Sequence, residues 1–433
     1  MTMLIIADDL SGAADCAIGF ASAGLHTVVT LDPLNAGADA QVIAADTDTR
    51  RLSPAQAAAH TTAAFNALIK PGQRLYKKID STLRGNWAAE VAALQQLAGL
   101  AIVAPAFPAT GRTLQGGRVY VNGEPLETTD TWKLENFDRP ADVDAMLMAA
   151  GLRTAQLGVE TLRGDREALA RHILAVADGG VQALIVDAHT AEDLLRLAQV
   201  TAHLEQALFW VGSGGLAREI AKLPDFFQSL PPLAVQTPQG KTPRACVLVL
   251  VGSLSAVSGR QCAMLRERGS VDELMVPPGV LREGPCHADW SSWQARVGEA
   301  LDRADLLLRI GRDQAFDPLE GAHLSTQLAE LVAPHFGKVG GLIATGGETA
   351  RAMLTAVGIG SLQLLAEIEA GVAFGRPIST RHGHCPGVIT KAGAFGTDHA
   401  LYAAWLHMTG AVEPNGLTPH ESHIYESKGS STS

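Results

Sequence analysis

The alternation of short apolar runs with longer stretches rich in Ala, Leu and Glu constrains this chain more than any other feature of its sequence. The apolar runs of the first half read MLIIADD, HTVVTL, AQVIAAD, RLYKKID, LAIVAPAF, VQALIVDA and LFWVG. Helices are predicted between several of them, over 13–23, 54–69 and 87–97. Strands that alternate with helices form a mostly parallel sheet. Because ligands of such sheets bind beyond the carboxyl ends of the strands, the polar residues that close several runs are candidates for a site.

The alternation stops in a proline-rich segment and then resumes. Five prolines lie between Pro224 and Pro243, and the next runs read ACVLVLVGS, LLLRIG and VGGLIATGG. We therefore predict an α/β fold of two domains, each with a mostly parallel sheet flanked by helices, and an active site in the cleft between them. The predicted boundaries are 1–230 for the N-terminal domain, 231–243 for a linker, 244–425 for the C-terminal domain and 426–433 for a disordered tail.

Composition excludes several classes of protein. Of the 433 residues, 47% are hydrophobic and 18% are charged, which excludes a disordered chain and a coiled coil. Lys and Arg number 34 against 45 Asp and Glu, a formal net charge of −11. We expect neither a nucleic acid nor a membrane surface as partner, because both attract a basic face. Small anionic ligands remain compatible, since a few local cations suffice for them.

Cysteine usage and the N-terminus indicate a cytoplasmic protein. The five cysteines are scattered and form no C-x-x-C pair, as expected of free thiols in a reducing compartment. The N-terminal apolar run ends at Asp8 without a preceding basic region, so it is not read as a signal peptide. A homodimer is compatible with the sequence, which does not decide the oligomeric state.

Two polar clusters follow predicted strands of the first half. In ADDLSGAAD, residues 7–15, Asp9 or Ser11 is either a helix N-cap or a functional residue, and the pattern favours neither. In YKKIDSTLRGN, residues 76–86, two lysines, Asp80, two hydroxyls and Arg84 crowd one turn. Such a mixture suits a carboxylate or polyol ligand, and Asp80 is a plausible general base toward a hydroxyl. The alternative is a capped helix start with solvated charges.

Two further segments of the first half are less specific. In DTDTRRL, residues 46–52, Arg50 and Arg51 either clamp a carboxylate or are ordinary exposed arginines. In APAFPATGRTLQGG, residues 104–117, prolines and glycines form either a pocket wall or a surface loop.

Three glycine-rich turns of the second half predict a nucleotide site. They lie in VLVGSLSAVSGRQ (249–261), GLIATGGETARAML (341–354) and KAGAFGTDHAL (391–401). Backbone N–H groups where a strand gives way to a helix bind phosphate, although a single such turn is also a routine connection.

Three other motifs are set aside. The GKT of 240–242 has Val235 where a P-loop needs Gly, and it lies in the predicted linker. GSGGLA, residues 212–217, would suit an NAD-dependent oxidoreductase, but no acid-tipped strand follows about 20 residues on. HGHC, residues 382–385, has no partner cluster for a metal.

Taken in order, six motifs resemble those of the four-carbon acid sugar kinases, a family long catalogued only as a domain of unknown function. They are ADDLSGA, KIDSTLRGN, PAFPATGRT with YVNG, GSLSAVSGRQ, TGGETA and KAGAFG. Each is weak alone, but six in order are specific. Ser11 and Ser258 stand where the family is expected to have Thr, and both keep the hydroxyl.

The resemblance implies ATP-dependent phosphorylation of the 4-hydroxyl of a four-carbon sugar acid in carbohydrate catabolism. D-threonate, giving 4-phospho-D-threonate, is the expected substrate, with D-erythronate and 3-oxo-tetronate as alternatives and an NAD-dependent oxidoreductase as a weaker one. The positions that match the family's substrate-binding residues are Asp9, Arg51, Lys78, Asp80, Ser81, Thr82 and Arg84. Those that match its nucleotide-binding residues are Ser253, Ser255, Gly346, Gly347, Glu348, Thr349 and Gly393.

The chemistry implied is phosphoryl transfer, which depends mainly on positioning and charge stabilisation. Arg51 and Arg84 would orient the substrate carboxylate. Either Asp80 or Asp9 would accept the proton of the 4-hydroxyl, and the sequence leaves that choice open. ATP and Mg²⁺ are the expected cofactors, with Mg²⁺ bridging the phosphates and no protein ligand assigned to it.

Overall fold

Two groups of residues pack separately in this protein. The computed structural model describes residues 2–33, 40–133, 140–223, 226–227, 245–315, 317, 320–378, 384–393 and 395–411. The first unit is Met1–Gln236 with Gly360–Ala366, and the second is Thr237–Ile359 with Glu367–Ser433. The predicted linker, 231–243, and the predicted tail, 426–433, lie outside the described residues. The domain boundaries and the cleft expected between the domains stay predictions.

The first unit has a parallel sheet with one antiparallel edge strand. Its strands in the sheet are β1 (Met3–Ala7), β2 (Thr27–Thr30), β3 (Val42–Asp46), β4 (Arg74–Lys78), β5 (Leu100–Ala104), β9 (Thr154–Leu157), β10 (Ala183–Val186) and β11 (Leu208–Gly212). Their order is β2-β3-β1-β4-β11-β5-β10-β9, all parallel. Residues 361–363 of β16 (Ser361–Glu369) pair antiparallel with β2.

Nine helices flank this sheet in the described part of the unit. They are α1 (Leu10–Ser22), α2 (Pro54–Leu68), α3 (Trp87–Ala98), α4 (Asp130–Lys133), α5 (Val143–Ala149), α6 (Val159–Arg163), α7 (Arg166–Asp178), α8 (Ala191–Thr201) and α9 (Gly214–Ala221). Helix α1 begins before the predicted residue 13, because Asp9 caps it through Gly12 N at 3.0 Å. Ser11 therefore lies inside the helix and is not its cap.

The register of the strands places the carboxyl ends of β1, β3 and β4 side by side. Ala7 of β1 lies opposite Asp46 of β3 and Lys78 of β4. The chain leaves β1 toward β2 on one side and leaves β4 toward β5 on the other. The edge between β1 and β4 is therefore a topological switch point, the place where open α/β sheets bind ligands.

A small antiparallel sheet sits in the first unit beside the end of β10. It consists of β6 (Arg112–Gln115), β7 (Arg118–Val121) and β8 (Glu124–Pro125). Asp187, which follows β10, accepts hydrogen bonds from Gly116 N at 2.7 Å and Gly117 N at 3.1 Å. These bonds hold the turn between β6 and β7, so the strand that begins with Arg112 is fixed in place.

The strands of the second unit pair in the order β13-β14-β12-β15-β18-β17. Its strands are β12 (Cys246–Val251), β13 (Val271–Val276), β14 (Asp305–Ile310), β15 (Val339–Thr345), β17 (Val372–Pro377) and β18 (Gly387–Lys391), and only β17 is antiparallel to its neighbour β18. Its helices are α10 (Ala256–Arg268), α11 (Pro278–Glu283), α12 (Trp290–Arg303), α13 (Gly321–Val332), α14 (Gly347–Ala356) and α15 (Ala400–Thr409). Trp405 of α15 donates to Asp305 Oδ2 at 2.8 Å inside the core.

The predicted fold class is confirmed in both units, since each has a mostly parallel sheet flanked by helices. None of the five cysteines forms a disulfide. Within the described ranges, no helix combines the length and apolar character that a membrane span requires.

Candidate active site

Two acids after β1 hold one arginine from the loop after β3. Arg50 donates to Asp8 through Nε at 2.7 Å and Nη2 at 3.1 Å, and to Asp9 through Nη2 at 2.9 Å and Nη1 at 3.1 Å. Burial opposes the ionisation of Asp8, but Arg50 and then Lys77 and Lys78 outweigh it, so its pKa is lowered. Both carboxylates are thus fixed in place at the end of β1.

The turn after β4 builds a second carboxylate. Asp80 is buried and accepts from Arg84 Nε at 2.8 Å and Arg84 Nη2 at 3.1 Å, and also from the amide and hydroxyl of Thr82. Burial alone would raise the pKa of Asp80. Arg84, followed by Arg50 and Lys78, outweighs burial and holds this pKa well below its ordinary value. Asp80 is therefore ionised, and the hydroxyl of Thr82 serves it rather than capping a helix.

The backbone of this turn lets the two acid groups approach each other. Gly85 has a φ of +82°, and a Cβ there would lie 2.9 Å from Asp8 Oδ2. Asn86 Nδ2 donates to the carbonyls of Thr49 at 3.1 Å and Leu52 at 2.7 Å. The turn after β4 is thereby fastened to the loop that carries Arg50.

Lys78 brings its ammonium to the first turn of α1. It is 4% exposed and makes no ion pair or hydrogen bond with a described side chain or backbone group. A Cβ at Gly12 would lie 2.9 Å from Lys78 Nζ. The hydroxyl of Ser11, also buried, has no hydrogen-bond partner among the described residues. The positive end of the α1 dipole and the Lys78 ammonium both attract anions, with Asp8 and Asp80 supplying part of the compensating charge, so this corner suits a carboxylate or phosphate.

A buried ion pair adjoins the site. Lys77 Nζ lies 2.8 Å from Glu90 Oε2, and neither side chain is exposed. The angle between Lys77 Nζ and Glu90 Oε2 does not meet the geometry of a hydrogen bond, so this contact is an ion pair alone. The other oxygen, Glu90 Oε1, accepts from Thr49 at 2.5 Å and Thr61 at 3.3 Å. Lys77 therefore has a structural partner, in contrast to Lys78.

The motif APAFPATGRTLQGG, residues 104–117, also contributes a residue to this site. Arg112, the first residue of β6, interacts electrostatically with Asp80, Arg84 and Asp15, and burial lowers its pKa. Asp15 forms an ion pair with Arg218 at 3.4 Å. Sequence reasoning missed Arg112 and Asn86 as site residues. The available signal was their place at the ends of the motifs PATGR and KIDSTLRGN.

Most of the predicted substrate residues lie in this cluster, and one lies at its periphery. The buried or half-buried ones are Asp9, Lys78, Asp80, Ser81, Thr82 and Arg84. Arg51 is exposed, and it is Arg50, its neighbour, that contacts the acids.

The glycines of GSGGLA have a packing role. A Cβ at Gly215 would collide with Ala106 O and lie 3.0 Å from Phe107 Cα, and a Cβ at Gly214 would lie 2.6 Å from Asp15 Oδ2. Ser213 caps α9 through Gly215 N at 3.2 Å. These close approaches account for the glycines without a dinucleotide.

In the second unit, hydroxyls at the start of α10 meet the loop after β18. Ser255 caps α10 through Ser258 N at 3.1 Å. The carbonyl of Gly393 accepts from Ser255 Oγ at 3.2 Å and Ser258 Oγ at 2.7 Å, and a Cβ at Gly393 would lie 2.6 Å from Ser253 Oγ. Two of the three predicted nucleotide turns are thus in contact.

The third turn, between β15 and α14, joins the same group. Gly346 has a φ of +95° and donates its N–H to Lys391 O at 2.7 Å. Thr349 shares a hydrogen bond with Ser325 at 3.1 Å, and a Cβ at Gly252 would collide with its hydroxyl. Gly347 and Glu348 open helix α14. All seven predicted nucleotide residues therefore lie in adjoining turns at the carboxyl ends of β12, β15 and β18.

The described residues contain no group of three or more His, Cys, Asp or Glu side chains arranged to hold a metal ion.

Two family models match this chain, one in each half. The model described as a sugar-binding N-terminal domain matches residues 3–220. The model described as a nucleotide-binding C-terminal domain matches residues 248–401.

Curated proteins resemble it over nearly their full lengths. A D-threonate kinase of Cupriavidus necator is 53% identical and aligns with 96% of this chain and 100% of its own. A D-threonate kinase of Bordetella bronchiseptica is 33% identical, with 92% and 96% aligned. A D-erythronate kinase of Heliobacterium modesticaldum is 28% identical, with 92% and 95% aligned.

Two solved structures share the fold. A chain from Salmonella typhimurium LT2 has a TM-score of 0.75 at 20% identity and aligns with 94% of this chain and 99% of its own. A Haemophilus influenzae protein of the DUF1537 family has a TM-score of 0.67 at 21% identity, with 94% and 100% aligned.

Proposed function

The chain belongs to the kinase family that joins a sugar-binding N-terminal domain to a nucleotide-binding C-terminal domain, and from this premise we propose that it is a D-threonate kinase. It transfers the terminal phosphoryl group of ATP to the 4-hydroxyl of D-threonate. The observation that carries the proposal is the 53% identity to a D-threonate kinase across the whole of that relative. D-erythronate and 3-oxo-tetronate kinases align at 28% and 29% identity, which supports these acids as alternatives of lower rank.

The sugar acid binds in the first unit, with its carboxylate toward the cations of the switch point. Lys78 is the strongest candidate for this contact, because its ammonium lies at the first turn of α1 and makes no hydrogen bond or close ion pair with a described residue, although Asp8 and Asp80 attract it electrostatically. Arg84 stands beside it with its Nε and Nη2 already bonded to Asp80. The exposed Arg51 adds positive charge near this site.

Asp9 aligns the hydroxyl that attacks the phosphoryl group. Asp80 accepts four hydrogen bonds and its side chain is 8% exposed, whereas Asp9 accepts three and is 18% exposed, with Oδ2 accepting only from Arg50 Nη1 at 3.1 Å. A carboxylate with a free lone pair can accept the proton as phosphoryl transfer proceeds. Asp80 then acts through Arg84, which it holds in position.

ATP binds in the second unit, where N–H groups and hydroxyls of the three turns meet its phosphates. Mg²⁺ would accompany the phosphates and neutralise part of their charge.

An ADP-release assay tests the proposal. The purified chain is given Mg²⁺ and ATP with each isomer of threonate and erythronate and with 3-oxo-tetronate, and the product is located by ³¹P NMR. We expect the highest kcat/KM with D-threonate and a phosphate ester on its 4-oxygen. Turnover confined to another of these acids would reassign the substrate, and the absence of turnover with all of them would refute the kinase assignment.

A further inference from the structure

Lys391 is a fully buried lysine at the end of β18, with 1% of its surface exposed. Its Nζ donates to three carbonyls of the following loop, those of Ala392 at 2.7 Å, Gly393 at 3.3 Å and Phe395 at 2.9 Å. These bonds use all three ammonium protons. No described carboxylate lies within ion-pair distance of it. Buried charges are normally paired, so a buried cation bonded only to carbonyls calls for a functional explanation.

This one residue connects the three glycine-rich turns. Its backbone carbonyl accepts the N–H of Gly346 at 2.7 Å, which ties the turn before α14 to β18. Its ammonium holds the carbonyl of Gly393, which also accepts from Ser255 and Ser258 at the start of α10. The relative positions of the three turns therefore depend on Lys391.

The hydrogen bonds that these carbonyls accept from Lys391 also fix the direction of the N–H groups in the loop. In a trans peptide, the C=O and N–H bonds are antiparallel. Since the carbonyls of Ala392 and Phe395 face the ammonium, the N–H groups of Gly393 and Gly396 point away from it. Neither N–H donates to a described residue. Unpaired backbone N–H groups of a turn are typical anion-binding groups.

We propose that Lys391 is a positioning residue that turns the N–H groups of Gly393 and Gly396 toward the phosphates of a bound nucleotide. This inference rests on the proposed function, which places ATP in the second unit. The ammonium does not touch the phosphates in this arrangement, because its protons are all donated to the protein. It acts through the loop and through its charge.

The protonation of Lys391 gives the proposal a measurable signature. Burial lowers its pKa to about 8, while the nearby Glu369 acts in the opposite direction. Burial raises the pKa of the Cys262 thiol, so that thiol stays neutral near pH 8. Bound phosphate anions would favour the charged ammonium and raise its pKa. Nucleotide binding near pH 8 should therefore take up a fraction of a proton.

Calorimetric titration of the full chain with MgADP at pH 8, in two buffers of different ionisation enthalpy, measures this uptake. The wild-type protein should take up a fraction of a proton. Lys391→Arg should bind MgADP with affinity within a few-fold of wild type and without uptake, because arginine stays protonated. Lys391→Met should bind at least about tenfold more weakly and raise KM for ATP, with KM for the acid unchanged.

Lys338→Met is the control, since Lys338 is partly exposed and pairs with Asp302 at 2.7 Å, and it should behave like wild type. Circular dichroism checks that the variants are folded. If Lys391→Met does not fold, the wild-type and Lys391→Arg titrations decide. No proton uptake by the wild type, uptake that persists in Lys391→Arg, or wild-type affinity in Lys391→Met would overturn the proposal. The binding readout does not need turnover, so failure of the D-threonate assay is a separate result.

Discussion

At the scale of single residues, each of the three acids at the candidate site is paired with one arginine. Arg50 holds Asp8 and Asp9, and Arg84 holds Asp80. Arg50 lowers the pKa of Asp8 and Arg84 lowers the pKa of Asp80, in both cases against burial, which alone would raise it. Because Arg50 and Arg84 already donate to these acids, Lys78 is the main candidate at this site for donating to a ligand.

Asp9→Asn should lower kcat at least about 100-fold and change KM for ATP little, because the amide can still cap α1 but cannot accept the proton. Steady-state kinetics with D-threonate and ATP measure it. Asp165→Asn is a matched control, since Asp165 caps α7 in the same way, through Ala168 N at 2.8 Å, on an exposed surface. A near-normal kcat for Asp9→Asn would return the role to Asp80.

Arg84→Met should lower the free energy of unfolding by about 2–4 kcal/mol at pH 7, because it leaves the charge of Asp80 buried with less compensation. The pKa of Asp80 in the folded state lies below its ordinary value. Its charged form therefore stabilises the fold above the unfolded pKa, and that stabilisation is lost as the pH falls.

The difference between wild type and Arg84→Met should accordingly shrink as the pH falls below about 4. Urea unfolding at pH 7 and pH 3 measures both values. Arg118→Met removes a half-exposed pair at 3.4 Å from Glu127 and should cost less than about 1 kcal/mol. A difference for Arg84→Met that is independent of pH would contradict the assigned origin of the shift.

At the scale of elements, tight turns place the functional groups and glycines permit their contacts. Helix α1 begins one residue after Asp9, helix α10 one residue after Ser255 and helix α14 one residue after Gly346. Each helix thus directs its N-terminus to the sheet edge where the polar groups lie. Some glycines of these and neighbouring turns leave room for a ligand. Others, such as Gly215, allow two backbone segments to pack closely.

Two helical glycines should respond oppositely to alanine. Gly215→Ala in α9 should cost about 1–3 kcal/mol of unfolding free energy, since its Cβ would meet the backbone of Ala106 and Phe107. Gly259→Ala in α10 has no atom within 4 Å of its Cβ and should gain about 0.5–1 kcal/mol. Chemical denaturation followed by circular dichroism gives both values. A neutral effect of Gly215→Ala would mean that its neighbours can move apart.

At the scale of the whole molecule, the proposed function is divided between two units, each with its own run of mostly parallel strands. The division does not follow the chain strictly, because Gly360–Ala366 belongs to the first unit. Leu362 and Gln363 of β16 pair there with Val29 and Val28 of β2. The pairing covers an edge strand that would otherwise expose its backbone groups.

Hydrogen–deuterium exchange with one ligand at a time should separate the two units. D-threonate should protect residues 8–13, 47–52 and 78–86, whereas ADP should protect 252–259, 345–350 and 391–393. At a ligand concentration 100 times its Kd, the stabilisation of the bound state is about 2.7 kcal/mol. Protection of the first group by ADP alone would contradict the assignment of the nucleotide to the second unit.

Sequence alone sufficed for the fold class, because the alternation of apolar runs and helices is a local pattern. It also sufficed for the family, because six motifs in order are specific even though each one is weak. The positions of the Pro54–Leu68 and Trp87–Ala98 helices follow from the same periodicity and, for α2, from the capping box of Ser53 and Gln56.

The choice among neighbouring residues was decided only by the tertiary structure. Asp9 and not Ser11 caps α1, and Arg50 pairs with Asp8 and Asp9, because backbone direction at a turn decides which of two adjacent side chains faces the sheet edge. Lys77 and Lys78 look alike in sequence, yet strand alternation sends one to Glu90 and the other to the first turn of α1. The partner that distinguishes each residue lies far along the chain, and a contact of that kind exists only once the sheet has formed.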